Sequence, residues 1–197
     1  MLVLLLPLFA LLGCSESEPM TDNLTVGAVF PGIAMQRLDG GKVSIKQYRG
    51  KLVVLNAWAT WCEPCRREMP NLQQLSDALD PKRFAVIGLA QDEDDHLVRE
   101  YLLDQKVTFT SYIDPAGEIA AAQLGIQIFP YTLLIGPDGR FIQRIVGPRE
   151  WQRQEVIDLL VDEESNSLAE LEDFIGVPIK LQVESLYTQE QFDVVIM

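Results

Sequence analysis

Apolar residues fall along the chain in runs of two lengths. Leu52–Trp58 and Phe84–Ala90 are almost unbroken, the pattern of central strands buried on both faces. Shorter runs over Ile33–Leu38, Val43–Ile45, Phe109–Ile113, Thr132–Ile135 and Arg140–Val146 predict further strands. Asp39-Gly40-Gly41 joins the first two of these, and Pro137-Asp138-Gly139 the last two, each as a hairpin turn. Arg49-Gly50-Lys51 is another turn. Helices are predicted from Cys62 to about Leu79, from the acidic Asp92–Asp95 stretch to about Gln105, over Gly117–Leu124, and from Glu150 to Asp162. Strands alternating with helices and closing on a hairpin give an α/β fold with helices packed on a sheet.

The ends of the chain follow other patterns. Leu2–Leu12 is continuously apolar if Pro7 is allowed, and Gly13, Cys14 and the polar Ser15-Glu16-Ser17-Glu18 follow. Such a run is too short to span a bilayer but suits the core of an export signal. Leu11-Leu12-Gly13-Cys14 resembles the lipobox of bacterial lipoproteins, which implies cleavage before Cys14 and lipid on its sulfur. No basic residue precedes the run, a departure from the usual signal; a plain export signal with an incidental cysteine is the alternative. At the other end, Ser167-x-x-Glu170 is a capping box, with Leu168, Leu171, Phe174 and Ile175 on one helix face and Gly176 as stop. Ile179, Leu181 and Val183 alternate as in a half-exposed strand, and Phe192–Met197 suggests another.

Charge sharpens this division. The 197 residues carry a net charge of −13, which argues against nucleic acid as a partner. From Glu150 onward there are 12 Asp/Glu against two basic residues, so the body is nearly neutral and the C-terminal segment strongly acidic.

The chemistry centres on Cys62-Glu63-Pro64-Cys65, at the junction of a buried strand and a helix. A thiol at a helix N-terminus faces unpaired N–H groups and the positive end of the dipole, both of which favour thiolate. Two intervening residues let one helical turn bring the sulfurs within bonding distance, and Pro64 is tolerated in the first turn. The first sulfur is the exposed one, so Cys62 attacks and Cys65 resolves. Zinc would need four ligands, and one CxxC with the single distant His96 does not supply them. No metal or other cofactor is expected. Glu68, three residues after Cys65, shares its helix face. If buried beside the thiols it is raised in pKa and able to exchange a proton with them; otherwise it is a surface helix residue. Trp58 is expected in the core and Trp61 at the rim of the site. Arg66 and Arg67 form a solvated face balancing Glu63 and Glu68, and Pro70 is expected to kink the helix.

The segment from Asn56 to Pro70, reading N-A-W-A-T-W-C-E-P-C-R-R-E-M-P, resembles the active-site region of the thioredoxin superfamily. It is most similar to the TlpA/ResA-like membrane-tethered thiol-disulfide oxidoreductases. The resemblance runs from about Val26 to Asp162. It implies a thioredoxin-like three-layer α/β/α sandwich with an N-terminal hairpin, a central helix-strand insertion and a C-terminal extension outside the family core. The implied division is 1–13 signal peptide, 14–25 tether, 26–163 thioredoxin-like domain and 164–197 acidic accessory extension. Leu124–Thr132 resembles the family's cis-proline segment, which implies a cis Phe129–Pro130 bond beside the cysteines and substrate contacts from Trp61, Glu63, Pro64, Phe129 and Pro130. Ile128 departs from the glycine common at its position. The resemblance also makes Glu68 an active-site residue and the activity reductive. Implied partners are disulfide-containing exported proteins (apocytochrome c-like chains among them), a membrane thiol-disulfide electron donor, and a bacterial membrane, with the domain facing the periplasm.

Two other functions stay open on the sequence. A thiol peroxidase of similar fold places a Pro and a Thr ahead of its reactive cysteine; Thr60 is present, but Val54 stands where the Pro would be. A non-catalytic binding protein acting through its C-terminal extension is the other. A copper chaperone would need a CxxxC spacing and a late His, both missing.

Overall fold

In the computed structural model, which describes residues 24–151, the two long apolar runs lie side by side as parallel strands. These are β3 (Leu52–Trp58) and β4 (Phe84–Ala90), paired along their whole length from Leu52↔Phe84 to Trp58↔Ala90. Before them come β1 (Ala34–Arg37) and β2 (Lys42–Ser44), the hairpin expected around Asp39-Gly40-Gly41, and a 3-10 turn over Ile45–Tyr48. Helix α1 (Glu63–Ala78) links β3 to β4, and α2 (Asp95–Asp104) leads to β5 (Thr110–Ile113). A final hairpin pairs β6 (Tyr131–Ile135) with β7 (Phe141–Val146). The seven strands form one mixed sheet in the order β2-β1-β5-β4-β3-β6-β7.

Alternation along β3 divides the core. Leu52, Val54 and Trp58 face α1 and α2, where they pack with Met69, Leu72, Leu75, Val98 and Leu102. Val53, Leu55 and Ala57 face the other way, onto Phe30, Ile33, Ile119 and Leu124. Each large apolar side chain contributes about 1.5–3 kcal/mol by leaving water, and β3, seven residues long and buried at every position, is firmly anchored in the sheet. Gly88 in β4 is small for a reason: a Cβ there would lie 2.8 Å from Ser111 Oγ and 2.9 Å from Trp58 Nε1.

Most elements lie where the hydrophobic pattern puts them, with two refinements. The short helix at Gly117–Leu124 is a π-helical turn over Glu118–Gln123, entered through Gly117 at φ 66°. Within the described residues, the layer opposite α1 and α2 consists of this turn, the 3-10 turn and the extended chain from Leu24 to Ile33 rather than long helices. The expected leader with Cys14, most of the helix predicted over 150–162, and the capping box and strands of the acidic segment lie outside the described residues.

Candidate active site

Strand β3 ends at Trp58, and the loop Ala59–Trp61 carries the chain into α1. The loop is fixed from both sides. Cys62 N–H donates to Ala59 O (3.2 Å), while Thr60 donates its N–H (3.0 Å) and its hydroxyl to the carboxylate of the buried Asp92, just past β4. Cys62 is the N-cap of α1, its sulfur accepting from Cys65 N–H at 3.3 Å, and Pro64 sits in the first turn, where no N–H is missed. The two sulfurs form a disulfide across a Cα–Cα distance of 5.3 Å. Cys62 is 6% exposed and Cys65 1%, so the accessible sulfur is the first, by a narrow margin.

Around the disulfide the expected residues divide sharply. Trp61 projects into solvent, 66% exposed, with its ring edge-on to Phe129 at 6.0 Å. The Phe129–Pro130 bond is cis, and Phe129 packs against both halves of the core. Trp58 is fully buried against Tyr101. Arg66 and Arg67 do form a solvated face, but among the described residues their ion pairs are with Glu63, at 3.9 and 3.3 Å. Glu68 lies on the opposite side of the helix, so the expectation that they balance it is corrected. Pro70 is accommodated within α1, which runs on to Ala78. His96 is on the exposed face of α2, its Nδ1 3.6 Å from Glu100 and away from the cysteines.

Glu68 is the unusual member. It occupies a core-facing position of α1, between Cys65 and Leu72, and is 2% exposed. Its Oε1 accepts two hydrogen bonds from the chain that follows β7: the Arg149 backbone N–H at 3.1 Å and the Trp151 indole N–H. Its Oε2 is buried, with no hydrogen-bond partner among the described residues. Beneath it, Asn56 on the α1 face of β3 donates to Thr132 Oγ1 at 2.9 Å, across the register pair Asn56↔Thr132. Burial pushes the Glu68 carboxyl above its ordinary value of 4.5, against the Trp151 and Arg149 donors, the nearby Asn56 amide and the Arg149 charge, which pull it down. The arrangement is a disulfide at a helix N-terminus with a buried carboxyl one turn further along.

Asn56, Asp92, Thr132, Arg149 and Trp151 are not among the residues the sequence points to. Asn56 carries a visible signal, as the one polar residue in an otherwise apolar strand. Trp151 carries none, because only the path of the chain after β7 brings it to α1. The open cleft lined by Arg37, Tyr48, Lys51, Arg99 and Tyr112, and the one beside Ser76, Pro81 and Thr108, include neither cysteine.

Comparison with known proteins fits this geometry. Residues 26–144 match the AhpC/TSA family. The thiol-disulfide oxidoreductase ResA of Bacillus thuringiensis is 34% identical over 134 residues, covering 68% of this chain and 77% of its own. ResA of Geobacillus thermodenitrificans is 31% identical over 148 residues, covering 74% and 84%. A thioredoxin-family thiol:disulfide interchange protein of Chlorobium tepidum superposes with a TM-score of 0.59 at 26% identity, covering 68% of this chain and 95% of its own.

Proposed function

Because the chain belongs to the AhpC/TSA family and is a thiol-disulfide oxidoreductase of the ResA-like kind, we propose that it reduces disulfides of exported proteins outside the cytoplasm. The observation that carries this is the Cys62–Cys65 disulfide at the start of α1 with the buried Glu68 on the same helix face. In the reduced protein the Cys62 thiolate attacks one sulfur of a substrate disulfide, forming a mixed disulfide and releasing the other sulfur as a thiolate that takes its proton from solvent. Cys65 then attacks the Cys62 sulfur, its proton passing to Glu68. The products are the Cys62–Cys65 disulfide and a substrate reduced by two electrons. A membrane thiol-disulfide donor returns the two electrons. Trp61, Glu63, Pro64, Phe129 and Pro130 form the substrate rim. The exposed ring of Trp61, set edge-on to Phe129 beside the cis Phe129–Pro130 bond, suits an extended polypeptide.

The leader supports a tether: lipid on Cys14 would hold residues 14–25 at a membrane, with 26–163 as the working domain and 164–197 as an accessory extension. The peroxidase alternative is less well supported, because the Thr60 hydroxyl is committed to Asp92 and Val54 is a buried strand residue.

Cys65→Ala tests the proposal in cells. The variant should accumulate mixed disulfides through Cys62 with exported proteins, separable on non-reducing gels and identified by mass spectrometry. Absence of any Cys62-linked species, or trapping of cytoplasmic proteins alone, would overturn it.

A further inference from the structure

We propose that Trp151 is a positioning residue for thiol–disulfide exchange, its indole N–H fixing one oxygen of Glu68 so that the other oxygen alone handles the proton. This rests on the proposed role of Glu68 in exchange and adds the group that sets it. The two donors to Glu68 arrive together from 81 and 83 residues away, and both land on Oε1. Oε2 is left buried and unpaired. A carboxyl bound this way is asymmetric: Oε1 is held as an acceptor, and a proton arriving from a thiol finds its free lone pairs on Oε2.

The alternative is that Trp151 merely fills the core. Its ring does belong to the apolar cluster on the α1 face of the sheet. Trp58 shows what a filler looks like here, fully buried with its indole N–H unpaired. Trp151 is equally buried, but its N–H is spent on a carboxylate. A phenyl ring would replace most of the packing and none of the hydrogen bond.

The groups acting on the Glu68 carboxyl come from each side. They are Asn56 from β3, and the Arg149 N–H, the Arg149 guanidinium and Trp151 from the segment after β7; Cys65 stands one turn earlier on α1. Donors to the carboxylate stabilise its ionised form, whereas burial favours the neutral form. Removing the indole N–H therefore moves the carboxyl in the direction burial already pushes it, upward.

The test is the pH dependence of Cys62 alkylation in the reduced full-length chain, for wild type, Trp151→Phe, Glu68→Gln and the double variant. Because the thiols and Glu68 titrate together, the profile belongs to the cluster. Trp151→Phe should raise the Glu68-dependent step by about one pH unit, a tenfold gain in proton affinity, the size expected from one lost hydrogen bond to a charged group. In the Glu68→Gln background it should move nothing. A second measurement needs no variant of Trp151: in wild-type protein the Trp151 indole ¹⁵N–¹H signal should titrate with Glu68, and in Glu68→Gln it should be flat. A folded Trp151→Phe protein with an unmoved step, or an indole signal that ignores the Glu68 titration, would overturn the proposal. If Glu68→Gln itself leaves the alkylation profile unchanged, the role of Glu68 has failed, and Trp151 falls with it. If Glu68→Gln alters the profile and Trp151→Phe does not, only Trp151 falls.

Discussion

The described part of the molecule buries three carboxylates, and two of them are treated quite differently from the third. Beyond the C-terminal end of β5, Asp114 accepts from Ile119 N–H (3.1 Å) and Ala120 N–H (2.8 Å) at the π-helical turn, and from Gln91 Nε2 (3.1 Å). Asp92 takes both donors of Thr60. These groups replace the water they lost, and what they gain is a fixed loop. Glu68 keeps one oxygen satisfied and one empty. A buried acid whose bonds are filled is a structural part; one left half-filled retains somewhere to put a proton.

Substitution should separate the two kinds. Asp114→Ala would strand the Ile119 and Ala120 N–H groups in a buried setting, at about 3 kcal/mol of stability, read as a lower denaturant midpoint; Asp114→Asn, which keeps an acceptor, should lose about half as much. Loss of thiol exchange from Asp114→Asn without loss of stability would break the distinction.

Glu68→Gln should behave in the opposite sense. The folded carboxyl is raised above 4.5, so the native state binds more protons than the unfolded chain, and stability from this group falls as pH climbs from 4.5 to the folded value. Gln carries no such dependence. In the oxidised protein, where the cysteines do not titrate, the variant should match wild type near pH 4. At neutral pH it should exceed wild type in stability, read as a higher denaturant midpoint. A variant less stable than wild type at neutral pH would place Glu68 with the aspartates.

The smallest effect is expected from the C-terminal segment. Removing residues 165–197 takes away much of the chain's negative charge, yet reduction of a small soluble disulfide should stay within about twofold of the intact chain, surface charges acting weakly through screened solvent. Failure of the shortened chain to fold would put the segment into the core.

What can be read from the sequence, and what cannot, follows the same line between local and distant causes. Strands β3 and β4 are legible because both faces are buried and the apolar runs are continuous. The start of α1 is legible because capping, Pro64 and the CxxC spacing are all local. The burial of Glu68 is legible only as a condition, since an acid at a core-facing helix position looks like any surface glutamate until the neighbouring chain is known. Trp151 and Arg149 are out of reach, being joined to Glu68 only through the path of β6 and β7. The π-helical form of Glu118–Gln123 is hidden for a similar reason: it is held by Asp114, outside the turn itself.

Among the described strands β7 lies at the margin of the sheet, and its place has a mechanical consequence. Strand β3, which leads through the Ala59–Trp61 loop to the cysteines, has a neighbour on each side; an inner strand opens at a higher free energy than a marginal one. The dithiol and the donors to Glu68 therefore sit in units of unequal local stability. Fraying from the margin would release the carboxyl while the cysteine loop stayed in place, so that the proton-handling half of the centre loosens before the sulfur-handling half does.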